Sequence, residues 1–213
     1  MSTPPSIEEF YQSQQTVFDA LKAKQDVLAK IKAAQYPLIV KWQMLLSVLL
    51  PIQFENIKKM GFTNEQSALV DYNTQLMMYQ QNDQKLKDLN NAKWQYIFEQ
   101  AFDIKEVQTI SQEQAIALIK DISNEMMSEP FLSQVDKFMA TLDPNMQIIE
   151  KRQALLSILI PMQMNVMARH GFNGEQGYIQ AQKALMDYMH DPNMIEMATK
   201  AQIQLFTRAG LMG

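Results

Sequence analysis

Leu45-Leu46-Ser47-Val48-Leu49-Leu50-Pro51-Ile52-Gln53, closed by Gly61-Phe62, decides the fold, because the chain carries it twice. The second form is Leu155-Leu156-Ser157-Ile158-Leu159-Ile160-Pro161-Met162-Gln163, closed by Gly171-Phe172. The offset is constant, 161 − 51 = 110 at the proline and 171 − 61 = 110 at the glycine, and Glu65-Gln66 and Glu175-Gln176 keep it. A proline and a glycine held in step with matched neighbours read as an internal duplication. Around the first form, Leu38, Leu45, Leu49, Ile52 and Ile57 recur at helical spacing, so a helix is expected over about 37–60. Pro51 and Pro161 lie inside the two long helices, where each removes one ladder bond, to the carbonyl of Ser47 or Ser157. A kink is expected at both, with a break into two helices as the alternative. Gly61 and Gly171 read as left-handed residues just past a helix end, with Phe62 and Phe172 folding back on the last turn.

Working outward, Ser6-Ile7-Glu8-Glu9 is a capping box, and the helix it opens carries Phe10, Val17, Leu21, Leu28 and Ile31 and should fade near Tyr36, ahead of Pro37. Thr63-Asn64-Glu65-Gln66 offers another box before a helix with Leu69, Tyr72, Leu76 and Tyr79. A last helix of the first unit is expected near 84–102. The second unit repeats the plan. Ser111-Gln112-Glu113-Gln114 opens it, Glu129-Pro130 restarts it, and Asp143-Pro144 is expected to start its long helix. Asn173-Gly174-Glu175-Gln176 starts the next, and Asp191-Pro192 starts the last. The register slips late, to 109 between Tyr79 and Tyr188 and 108 between Phe98 and Phe206. The expected architecture is therefore all-α, as two tandem helical bundles, residues 1–104 and 105–213, each built around a long proline-containing helix.

The second unit resembles the small eukaryotic helical family known as protein C-ten. The marks are Ser111-x-Glu113-Gln114-Ala115, Leu156 with Leu159-x-Pro161, Gly171-Phe172, Tyr188, Asp191-Pro192 and Phe206. They cover roughly 111–209 and extend more weakly to 6–104. The resemblance implies a small helical domain in the cytoplasm with no catalytic residues to carry over. This chain departs from it by having two copies, and by Asn82-Asp83 standing where the second copy has Asp-Pro.

Composition narrows the function. The 213 residues carry a formal net charge of −4 with scattered Lys and Arg, so no nucleic-acid footprint is expected. There is no Cys, which removes disulfides, thiolate metal sites and a cysteine nucleophile. The opening residues show no leader pattern, and the longest apolar run is too short to span a bilayer, so no membrane insertion is expected. His170 and His190 are the only histidines and lack metal-ligand spacing. Ser47 and Ser157 have no recognisable base. Neither enzyme activity nor a cofactor is expected. The 17 Met, 12 of them after residue 104, suit adaptable packing.

The expected function is a non-enzymatic protein–protein interaction module. It would be a structural or adaptor subunit of a larger cytoplasmic assembly, cytoskeletal or ciliary in kind. The alternative is a carrier holding an apolar small molecule in a Met-rich core. Trp42 faces Arg152 at the 110 offset, and Trp94 faces Gln202 at 108. Polar residues in the second copy place both tryptophans near the surface of the common fold, as interaction candidates. Pro51, Gly61, Phe62, Pro161, Gly171 and Phe172 are the structural frame.

Overall fold

The computed structural model describes residues 5–63 and 68–211. The box expected at Thr63–Gln66 falls mostly outside them. Among the described residues all regular structure is helical, in two compact units that divide after Thr109, five residues later than the sequence boundary.

The first unit holds α1 (Ile7–Lys22), α2 (Gln25–Ala33), α3 (Leu38–Lys59), α4 (Ala68–Gln80) and α5 (Gln84–Phe102). Ser6 caps α1, accepting from the Glu9 N–H while Glu9 accepts from the Ser6 N–H at 2.7 Å. The single helix expected to Tyr36 is two. The chain turns at Ala23-Lys24, where Lys24 leaves helical geometry (φ −104°, ψ 25°). No Gly or Pro marks the turn. Leu21 before it and Leu28 and Ile31 after it are all buried. α3 runs unbroken through Pro51, so the alternative of two helices does not hold. It ends as the sequence reads: Gly61 has φ +89°, its N–H donates to the Lys58 carbonyl at 3.0 Å, and the Phe62 N–H reaches the Ile57 carbonyl at 3.3 Å. Phe62 then packs edge-on to Phe10 and Tyr72, whose rings stack at 5.0 Å. Asp83 caps α5, and Asp103 closes it in the left-handed region (φ 62°) beside Lys32 at 2.5 Å.

The second unit holds α6 (Gln112–Met126), α7 (Glu129–Met139), α8 (Ile148–Arg169), α9 (Gly174–Met186) and α10 (Pro192–Arg208). Ser111, Ser128 and Asp191 cap α6, α7 and α10. Asp143-Pro144 does not start the long helix. Asp143 Oδ1 accepts from the Asn145 N–H in a turn, and α8 begins at Ile148. The sequence signal is the same in both cases, since an Asp side chain closes a turn with the bond it uses to cap a helix. α8 also runs unbroken through its proline and closes on Gly171 (φ +88°), with the Phe172 N–H on the Met167 carbonyl at 3.0 Å. The core gathers Leu118, Leu155, Val166, Phe172, Ile179 and Leu205.

Gly174 opens α9 with φ +65°. Gly177 lies against the Phe172 backbone. A Cβ there would stand 2.3 Å from the Phe172 carbonyl carbon. The glycine is what lets α9 approach the chain reversal after α8.

Candidate interaction surface

The tryptophans are not on the surface. Trp42 is 6% exposed and Trp94 5%. They stack on one another at 6.3 Å, with Phe98 edge-on to both and Phe102 beside Trp42. The inference from Arg152 and Gln202 fails for a physical reason. Arg152 is half-buried too, and its guanidinium lies 5.1 Å over Phe206 while donating to the Leu211 carbonyl at 2.7 Å. Arg and Trp thus meet the same phenylalanine position, one by cation–π attraction and one by ring packing. Only Gln202 is exposed.

The outer sides of the long helices are the unexpected surface. α3 buries Trp42, Leu45, Leu49, Asn56 and Ile57. Ser47 and Pro51 face solvent, and Leu46, Leu50 and Phe54 are half-exposed. On α8, Ser157 and Pro161 face solvent and Leu156, Ile160 and Met164 are half-exposed. Among the described residues, α3 alone is long and apolar enough by composition to cross a membrane, and only 17% of its apolar window is buried. On its buried face Asn56 donates to the Ser13 carbonyl at 3.2 Å. The outer face remains apolar without being covered.

Each serine hydroxyl is committed locally. Ser47 Oγ donates to the Met44 carbonyl at 2.7 Å, and Ser157 Oγ to the Ala154 carbonyl at 2.7 Å. Beside Ser157 a groove of about 340 Å³ opens between α7 and α8, floored by Phe131, Ile158, Pro161 and Met162. Arg169 and Glu125, 3.6 Å apart, close one end of it.

The polar interior is structural. In the first unit Tyr72 Oη accepts from Gln14 Nε2 at 2.7 Å and is hydrogen-bonded to Ser13 Oγ at 2.8 Å, and Lys93 donates to Gln14. Burial pushes the Tyr72 phenol above its ordinary value, against those two hydrogen bonds. In the second unit the Gln112 amide holds the Asp191 carboxyl below the usual carboxylate range, helped by the Asn193 and Met194 N–H groups. His170, at the C-terminal end of α8, meets Asp121 at 2.9 Å. Among the described residues no three His, Asp or Glu side chains converge to hold a metal ion.

Comparison with known proteins returned no family model, no curated protein and no solved structure that matches this chain.

Proposed function

We propose that the chain is a duplicated protein–protein interaction module, two related helical bundles in tandem, and that the outer faces of α3 and α8 are where it binds. The carrying observation is which residues the two helices share. Ser47 and Ser157, Pro51 and Pro161, and Leu46 and Leu156 are identical at the 110 offset and point away from the core. The buried side keeps Leu45 with Leu155 and differs at Trp42 against Arg152 and Asn56 against Val166. A core requirement accounts for the matched leucine; a shared binding requirement accounts for the matched serine and proline on the solvent side.

Other parallels support the duplication. α3 and α8 are both 22 residues long. Tyr79 and Tyr188 each donate to the carbonyl preceding a capping serine, Pro5 before Ser6 and Ile110 before Ser111. The likeness to the C-ten family adds a cytoplasmic, non-catalytic expectation to this reading.

The test uses exposed positions. Ser47→Arg with Ser157→Arg should leave the helical melt unchanged while removing the proteins that co-purify with the full chain from its own cell. Retention of every co-purifying protein by the double variant would refute the assignment. A second reading, a carrier of a small apolar molecule, is favoured by the groove beside Ser157, whose volume is in the range of ligand pockets. A small molecule in the native mass of gently purified chain would support it.

A further inference from the structure

Resting on that reading, we propose that the two units bind one and the same partner element, an apolar helix that brings a hydrogen-bond donor to the Ser–Pro site, so that the chain joins two copies of one partner. Three observations lead there.

First, each face offers acceptors at its centre. The hydrogens of Ser47 Oγ and Ser157 Oγ are spent on the Met44 and Ala154 carbonyls, which leaves the hydroxyl oxygens free to accept. The carbonyls of the same two serines have lost their ladder donor, because Pro51 and Pro161 have no N–H. An apolar occupant without a donor would cover these oxygens and leave them unpaired, which is costly.

Second, the nearest surroundings are apolar, with charge only at their edges: Glu55 one turn after Pro51, and Glu125 with Arg169 at the end of the groove beside Ser157. Leu46 and Leu50 form a ridge one turn long beside Ser47 and Pro51, and Leu156 and Ile160 repeat it beside Ser157 and Pro161. Ridges of this i, i+4 kind are what a second helix packs against. Addition of a strand has no template, since the described residues contain no open sheet edge.

Third, the same chemistry stands at the same place in both units. A face that selects one occupant in the first unit selects it again in the second. Pairing of two such faces with each other sets acceptor against acceptor at their centres, so a second copy of this chain is not the occupant.

The experiment places a photo-crosslinking benzophenone amino acid at Gln43 or at Gln153, exposed positions one turn before each serine, in the full chain in the cell that makes it. The expected result is one protein cross-linked from both positions, through the same apolar helical segment carrying Asn, Gln or Trp. That segment, made as a synthetic peptide, should titrate at two equivalents per chain. Pro51→Ala returns an N–H to the Ser47 carbonyl and should weaken one of the two sites about tenfold, as loss of one hydrogen bond does. Adding Pro161→Ala should weaken both. Different proteins at the two positions, one equivalent per chain, or full affinity in the double proline variant would overturn this inference while leaving an interaction module. Cross-links only to lipid, only to the chain itself or to nothing would overturn the interaction reading as well.

Discussion

Replacing Gly177 by Ala should damage the second unit more than replacing either of the glycines that adopt positive φ beside it. The added methyl would lie 2.3 Å from the Phe172 carbonyl carbon, 2.7 Å from its oxygen and 2.9 Å from its Cα. Ordinary contact needs roughly 3.4 Å or more, so α9 must move by about 1 Å from a backbone that cannot rotate aside. Overpacking of this kind costs about 3 kcal/mol, and the helix preference for Ala over Gly returns about 1 kcal/mol. The net loss is about 2 kcal/mol, or roughly 8–16 °C in the melting temperature of a unit this size. Gly171→Ala and Gly174→Ala meet nothing within 4 Å and pay only for positive φ, about 1 kcal/mol each. Thermal and urea melts of the full chain, followed by circular dichroism at 222 nm, would rank the three. A Gly177→Ala protein that melts at or above the wild type would show that α9 does not depend on this close approach.

The remaining predictions concern both units. Trp42→Arg and Trp94→Gln should each cost on the order of 3–5 kcal/mol, as truncation of a buried ring does, and abolish the first unit's melting transition; survival of that transition would return the rings to the surface. Tyr72→Phe should cost about 1–3 kcal/mol by leaving Gln14 and Ser13 without their partner, read by urea denaturation. Residues 110–213 expressed alone should show a cooperative helical melt, because the core and caps described for the second unit come from within it. Asp191 has a carboxyl pKa lowered by folding, so its contribution is fully present above the ordinary value of 3.8 and fades as pH falls below that. Asp191→Asn should therefore lose stability at neutral pH, and its gap from the wild type should narrow in acid.

What the sequence made legible was local. Ser6 with Glu9, Ser111 with Gln114, and Asp191 ahead of Pro192 act within three residues, and Gly61-Phe62 and Gly171-Phe172 within five. Each is a backbone requirement met by the nearest side chain. What stayed hidden depends on distant partners. Ala23-Lys24 bears no breaker, and Leu21, Leu28 and Ile31 keep one helical spacing across the turn, so nothing local announces it. Ser13, Gln14, Asn56 and Lys93 have the letters of a surface and lie inside, satisfied across helices far apart in sequence. The outer face was misassigned for a related reason. A residue that differs between the copies was read as surface, and Trp42, opposite the polar Arg152, lies buried instead.

The stacked pair Trp42–Trp94 makes the chain its own optical reporter. Both indoles of the molecule lie in the first unit. Intrinsic tryptophan emission follows that unit alone, while far-ultraviolet ellipticity sums over both. Superposed curves from one sample would mean that the two bundles lose their structure together. Displaced curves would give each its own midpoint, without a label, a cut or a substitution.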